Sequence, residues 1–152
     1  MSLEDDIRII FGVSLFEELS SEQLRLLAFG AESKSLAEGT DLYRDGDSAD
    51  CGYIVVSGAI DLFRDSQNGR RVLKRIEPGM ILGELALITE TTRLTGAVAA
   101  EDTKLLRINR SLFKRMLEEY PESAAYLHAK LSKQLRALLR SIGELDVHFN
   151  DS

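Results

Sequence analysis

The sequence has few of the residues that build disulfide frameworks and metal sites. Among its 152 residues it has one cysteine, two histidines, two prolines and no tryptophan. A single cysteine, Cys51, cannot close an intrachain disulfide, so we expect a cytoplasmic, reduced protein. The histidines, His128 and His148, both lie in the C-terminal part, which leaves the centre of the chain without an imidazole ligand. The sequence therefore predicts no metal site.

Long apolar runs and an excess of basic charge are also missing. No run approaches the roughly 20 apolar residues that a membrane-spanning helix needs, and the N-terminal residues lack the charged start and apolar block of a signal peptide. The formal net charge is −6, whereas a nucleic-acid or acidic-membrane surface would need a basic field. We expect no membrane association and no general nucleic-acid binding, so any bound anion must be held locally.

Residue combinations typical of catalysis are not found either. Cys51 has no histidine nearby in sequence and stands at the start of a predicted strand, which favours a small structural residue over a nucleophile. The acidic stretch at residues 45–50 resembles a calcium loop, but Ala49 occupies a ligand position and Asp50 stands where that loop needs glycine. A hydrated turn is the better interpretation. We predict that the chain is not an enzyme.

Hydrophobic patterning predicts one domain over residues 1–142 with a tail at 143–152. Residues 4–29 show helical spacing, and Ser20 with Gln23 forms a capping-box pattern. Residues 31–109 break into short β-type runs, typical of a sandwich or barrel, at 52–58, 59–64, 71–76, 96–100 and 104–109. Asn68 and Gly69 supply the positive-φ pair of a tight hairpin. Asn109 then caps a second helical region over 110–142.

The stretch "GELALITETTR", residues 83–93, holds the most informative pair of charges. A strand leads through Gly83 into one helical turn, whose first N–H groups suit an anion. Arg93 presents a planar fork that matches phosphate oxygens, and Glu84 is an acceptor that suits sugar hydroxyls. The pair indicates either a sugar-phosphate site or an ordinary salt bridge that closes the loop.

The same stretch closely resembles the phosphate-binding cassette of the cyclic nucleotide-binding domain family. The similarity extends in family order through "LFEELSSEQLRLLA", "GTDLYRDGDSADCGYIVVSGAI", "IEPGMILGE" and "AAEDTKLLRINRSLFKRML", which together span nearly residues 10–140. The resemblance implies a mainly β fold with flanking α-helices. This fold is an eight-stranded β-roll of jelly-roll type, packed by N-terminal helices and by C-terminal helices B and C.

The resemblance also implies roles for individual residues. Glu84 would bind the ribose 2′-hydroxyl, Arg93 the cyclic phosphate, and backbone N–H groups around Ala86 and Leu94 would complete the phosphate site. The implied ligand-binding set is Gly83, Glu84, Leu85, Ala86, Arg93, Leu94 and Thr95. Leu94 departs from the Ala, Ser or Thr usual in the family after the arginine, and Thr95 and Gly96 stand where Ala and Thr are common. Because Leu94 lacks the hydroxyl that contacts guanine in family members preferring cyclic GMP, cyclic AMP is the expected ligand.

Two functions of different class follow. The first is a stand-alone sensor that binds cyclic AMP, needs no other cofactor, and passes a movement of helices B and C to an unknown protein partner. The second is an interaction or dimerisation domain that keeps the cassette without using it. Retained Glu84 and Arg93 favour the first function, and the bulk of Leu94 favours the second.

Helix C carries a further pattern. Ala124, His128, Leu131, Leu135, Leu138 and Ile142 alternate spacings of four and three, as in a coiled-coil seam. We expect a homodimer through Leu131, Leu135, Leu138 and Ile142, the alternative being packing on the roll itself. The family's helix C covers the base, and Tyr126, Leu127 and Lys130 are the lid candidates. Ten residues follow Ile142, so we expect no DNA-binding domain in this chain.

Overall fold

The structure, a computed structural model, describes residues 3–122, 125–133, 136–137 and 139–140. It opens with helix α1 (Leu3–Phe11), a 3-10 turn (Ser14–Phe16) and helix α2 (Ser21–Gly30). The Ser20 hydroxyl accepts the Gln23 N–H, and the Gln23 side chain accepts the Ser20 N–H in return. The predicted helical entry and its capping box are confirmed.

Ten strands follow within the described residues. They are β1 (Glu32–Leu36), β2 (Asp41–Tyr43), β3 (Ser48–Ala49), β4 (Cys51–Ser57), β5 (Ile60–Ser66), β6 (Gly69–Ile76), β7 (Ile81–Leu82), β8 (Thr91–Thr92), β9 (Gly96–Ala99) and β10 (Thr103–Asn109). Two four-stranded antiparallel sheets, ordered β1-β10-β4-β7 and β2-β9-β5-β6, form the roll, and β3 pairs with β8 in a short ribbon. The predicted β-roll with flanking helices is confirmed.

Strand β4 is buried on both faces, which explains its unbroken apolar sequence. Val55 packs inside the roll with Ile60 and Leu105, whereas Ile54 packs against the helices in the same cluster as Phe113. Neighbouring side chains of a strand point to opposite faces, so β4 is a wall common to both clusters. Through it, the helical layer is fixed to the roll.

The β5–β6 hairpin differs in one detail from its prediction. Ser66 pairs with Gly69, so that Gln67 and Asn68 form the turn, and the Ser66 hydroxyl accepts the Asn68 N–H. Gly69 has a φ of 100°, but no described residue other than glycine has a positive φ. A hairpin that places a left-handed glycine directly after its turn needs positive φ at that glycine alone. The predicted positive-φ pair is therefore wrong for Asn68, although the turn lies where expected.

After β10 the chain becomes helical again. Helix α3 (Arg110–Glu119) is capped by Asn109, whose side-chain oxygen accepts the Leu112 N–H at 2.8 Å, as predicted. Helical conformation recurs at Glu122 and at 125–133, 136–137 and 139–140, which we call the C-terminal helical segment. No helix within the described residues is long and apolar enough to span a membrane.

The C-terminal helical segment packs on the chain's own helical layer at one predicted seam position. Leu131 is 1% exposed and belongs to the same apolar cluster as Phe16 and Phe113. The other three predicted seam residues, Leu135, Leu138 and Ile142, lie outside the described residues. At Leu131, therefore, the structure shows the alternative arrangement, which is packing within the chain.

Candidate functional site

A cavity of about 620 Å³ opens between the roll and the helices. This volume is in the range of small-molecule sites, about 300–1,000 Å³. All seven residues predicted to bind ligand line it: Gly83, Glu84, Leu85, Ala86, Arg93, Leu94 and Thr95. Residues of β5, β6 and β7, together with Gly12, Val13, Ser14, Leu131 and Ala137, complete much of the remaining wall. The fold thus brings the whole predicted set to one concave surface.

Gly83 makes the turn from β7 into the cassette. Its φ of 70° lies in the left-handed region, and it precedes a 3-10 turn over Glu84–Leu87. A Cβ atom added at Gly83 would lie 2.3 Å from Nη1 of Arg93. The glycine is therefore needed twice, for its backbone conformation and for the space that the arginine occupies. The Ala86 N–H, which the resemblance assigns to the phosphate, donates to the Gly83 carbonyl at 3.2 Å.

Arg93 is buried but incompletely hydrogen-bonded. The residue is only 7% exposed. Its Nη2 donates to the Cys51 carbonyl at 2.9 Å and to the Cys51 Sγ at 3.3 Å. Among the described residues, neither Nε nor Nη1 has a hydrogen-bond partner. Across the residues that the structure describes, the fully buried polar side-chain atom without a partner is Asp6 Oδ1 and not a nitrogen of Arg93, so both nitrogens keep access to the cavity that Arg93 lines. The remaining edge of the guanidinium is therefore available to an anion in the cavity.

Glu84 is half-buried beside this guanidinium. Burial raises the pKa of its carboxyl above the ordinary value, and its own backbone, Lys74 and Arg93 partly counter that rise. Within the described part of the chain, no ion pair within 4.0 Å joins Glu84 to Arg93. The loop-closing salt bridge is thus not formed in this structure, which leaves both charges facing the cavity.

Two tyrosines missed by sequence reasoning lie against Arg93. The guanidinium carbon is 4.3 Å from the ring centroid of Tyr43 and 5.8 Å from that of Tyr53. The two rings stack, with centroids 6.4 Å apart and planes 28° apart. Burial raises the pKa of Tyr53 to about 12 and also raises the pKa of Tyr43, so both phenols are neutral at pH 7. No phenolate competes with a ligand for Arg93.

Arg110 is a second arginine that sequence reasoning missed. From the first residue of α3, its Nε donates to the Ala86 carbonyl at 2.9 Å and its Nη2 to the Ala49 carbonyl at 2.7 Å. Both alanines line the cavity. A cation in the first turn of a helix lies at the unfavourable end of the helix dipole. An arginine at that position in the sequence therefore suggests that its side chain is held by hydrogen bonds to another part of the fold. Arg110 connects two walls of the cavity to α3.

The three lid candidates are not among the residues that line the cavity. Leu127 is fully buried in the helical core, and Tyr126 is 41% exposed. Lys130 donates to the Ser14 carbonyl and lies 3.9 Å from the Glu17 carboxylate. Of the described residues in the C-terminal helical segment, it is Leu131 and Ala137 that line the cavity.

The acidic stretch at 45–50 carries ion pairs and a backbone bond. Asp45 lies 3.8 Å from Arg64 and Asp50 lies 3.2 Å from Arg107, while Asp47 accepts the Arg44 N–H at 2.9 Å. Among the described residues, no group of three or more His, Cys, Asp or Glu side chains is arranged to hold a metal ion.

Comparison with known proteins agrees with this geometry. A model of the cyclic nucleotide-binding domain matches residues 33–120. The cyclic AMP receptor protein of Thermus thermophilus is 33% identical over 126 residues, which cover 82% of this chain and 58% of the relative. A cAMP-dependent protein kinase regulatory subunit from Eremothecium gossypii is 33% identical over 132 residues, which cover 87% of this chain and 28% of that protein. The chain therefore spans less than two thirds of either relative.

One similar solved structure is of comparable size. A cyclic nucleotide-binding-like protein from Brucella abortus superposes with a TM-score of 0.68 and 57% identity. The match covers 75% of this chain and 98% of that chain. Sequence and fold comparisons thus point to the same group of proteins.

Proposed function

The chain belongs to the cyclic nucleotide-binding domain family, and on that premise we propose that it is a cytoplasmic regulatory domain that binds cyclic AMP and has no catalytic activity of its own. The observation that carries this proposal is the buried Arg93, whose Nε and Nη1 find no partner among the described residues. An unpaired guanidinium edge on a concave wall suits a singly charged cyclic phosphate. The names of two relatives, which refer to cyclic AMP, support the choice of nucleotide.

The rest of the cavity suits a nucleoside. Glu84 offers a carboxylate to the ribose, and apolar side chains at Leu62, Leu73 and Ile76 line the wall. Leu94 also lines the cavity and has no hydroxyl to offer guanine. We therefore propose that cyclic AMP binds more tightly than cyclic GMP. Calorimetric titration of the purified protein with each nucleotide tests this order directly.

A second candidate function is an interaction domain that retains an unused cassette. Its support is Leu94, which brings a larger side chain to the cavity wall than the small residues usual in the family. A misfit in such a pocket costs about 1–3 kcal/mol. The calorimetric titration distinguishes the two functions, because an interaction domain with an unused cassette would give no saturable binding heat with either nucleotide.

Glu84 gives a prediction about the ribose and about pH. We expect Glu84→Gln to weaken cyclic AMP binding by about 1–2 kcal/mol, because an amide oxygen is a weaker acceptor than a carboxylate. Wild-type affinity should be full above the Glu84 pKa and should fall as pH decreases through it. Since burial raises that pKa, the fall begins at a higher pH than for an exposed glutamate. Calorimetry across the acidic range measures both effects.

The matched controls isolate the hydroxyl contact. Against 2′-deoxy cyclic AMP, both the loss in Glu84→Gln and the pH dependence should vanish. Glu90→Gln removes a charge from an exposed position of the same loop and should leave affinity unchanged. An equal loss for the ribose and 2′-deoxy ligands would mean that Glu84 does not bind the 2′-hydroxyl.

We further propose that ligand binding is transmitted to the C-terminal helices. Arg110 connects Ala49 and Ala86 to α3, while Leu131 and Ala137 line the cavity from the following segment. A ligand that fills the cavity would therefore contact the elements that must move. We expect amide hydrogen exchange across residues 121–140 to slow at saturating cyclic AMP. Unchanged exchange there with ligand demonstrably bound would show that the helices do not respond.

Dimerisation through the C-terminal helices is also part of the proposal. Leu139, on the described part of that segment, is a large apolar side chain 47% exposed. We expect a dimer in solution, and we expect Leu135→Asp to shift the mass to monomer because it would bury an unpaired charge. Lys133→Asp, at an exposed position of the same segment, is the charge-changing control and should remain dimeric. Light scattering that finds wild-type monomer at micromolar concentration contradicts this arrangement.

A further inference from the structure

We propose that Tyr43 is a positioning residue that holds the Arg93 guanidinium in its anion-binding orientation. The inference rests on the proposed function, since it assigns a role within the same site. Tyr43 lines the cavity, and its ring centroid lies 4.3 Å from the guanidinium carbon. Its ring is in turn stacked on Tyr53, which places the arginine against a platform of two rings.

The Tyr43 ring contacts the face of the Arg93 guanidinium, whereas a phosphate would bind at its edge. Hydrogen bonds leave the edge of the planar group, whereas a ring stacks on its face. The Cys51 carbonyl and Sγ occupy Nη2 alone, which fixes one corner of the group and not its plane. The Tyr43 ring supplies this second restraint. Nε and Nη1 are left in the plane and available to an anion.

The backbone fixes the ring and the arginine relative to each other. Tyr43 pairs with Ala97 across β2 and β9, four residues after Arg93. On the other side, the Arg93 N–H donates to the Asp47 carbonyl at 2.7 Å and the Arg93 carbonyl accepts the Gly46 N–H at 2.9 Å. Tyr43 is thus anchored on the segments that carry the arginine. The conformational entropy of the Arg93 side chain is therefore lost on folding, and ligand binding does not have to supply it.

Ring removal tests the inference. Tyr43→Leu should weaken cyclic AMP binding about tenfold, the order expected for loss of a largely desolvated cation–π contact. Tyr43→Phe keeps the ring and should bind within about twofold of wild type. If Tyr43→Leu does not fold, Tyr43→Met serves as the ring-free variant. Equal weakening in the Phe and Leu variants would overturn the inference, because the hydroxyl and not the ring would then be responsible.

A ligand-free measurement separates positioning from a general structural role. In the free protein, NMR relaxation of the Arg93 Nε–H bond should show restricted motion in wild type and in Tyr43→Phe, and greater motion in Tyr43→Leu. An Arg93 Nε–H bond that is equally restricted with and without the ring overturns the inference. If wild type binds no cyclic AMP, the proposed function fails, while restriction of Arg93 that depends on the ring still supports positioning by Tyr43.

Discussion

Replacement of Arg93 by alanine is expected to weaken cyclic AMP binding by at least about thirtyfold, or about 2 kcal/mol. The residue is nearly buried, and two of its guanidinium nitrogens have no hydrogen-bond partner among the described residues, so a phosphate bound in the cavity makes charge-assisted hydrogen bonds in a partly dry site. The fold should survive, because the roll and its two apolar clusters do not include this side chain. Calorimetry gives the affinity, and circular dichroism confirms that the variant is folded.

Arg115→Ala is the matched control for this variant. It deletes the same charge from an exposed position of α3 and should leave the affinity for cyclic AMP unchanged. The alternative function, an interaction domain that does not bind nucleotide, predicts a different result. In that case Arg93→Ala would lower thermal stability, while the wild-type protein would show no affinity for either nucleotide up to millimolar concentration.

Substitution of Gly83 by alanine is expected to have an effect on affinity close to that of Arg93→Ala, about thirtyfold, together with a loss of stability. The new Cβ would lie 2.3 Å from Nη1 of Arg93, so the guanidinium must leave its position. The φ of 70° adds about 1–2 kcal/mol of strain for any L side chain. Thermal unfolding and calorimetry measure the two effects separately.

Gly39→Ala is the control that separates the steric clash with Arg93 from the backbone strain. Gly39 has a φ of 83°, and nothing lies within 4 Å of a Cβ built there. This variant should lose stability by a similar strain and keep its affinity for cyclic AMP. If both glycine variants bind as wild type does, Arg93 can move without penalty, and its observed orientation does not matter for binding.

Local patterns were sufficient to predict much of the fold. The Ser20 capping box, the Asn109 cap and the strand runs depend on residues close in sequence, and the structure confirms each of them. The candidate site was also local, since Glu84 and Arg93 lie nine residues apart on one connection. Their assignment to a ribose and a phosphate came from the family resemblance.

Contacts set by tertiary packing could not be predicted from the sequence. Arg93 meets the Cys51 carbonyl from 42 residues away, and Arg110 reaches the Ala49 carbonyl across 61 residues. Tyr43 likewise approaches Arg93 only because β2 pairs with β9. The sequence likewise could not show how the C-terminal helical segment packs, because a helical pattern does not fix which face meets the roll. Leu127 is accordingly in the core, while Leu131 reaches the cavity.

Calorimetric titration of the wild-type protein with cyclic AMP and cyclic GMP at neutral pH tests directly whether the cavity binds a cyclic nucleotide. We expect saturable binding of one cyclic AMP per chain and weaker binding of cyclic GMP. A folded protein that gives no saturable heat with either nucleotide up to millimolar concentration would contradict this expectation.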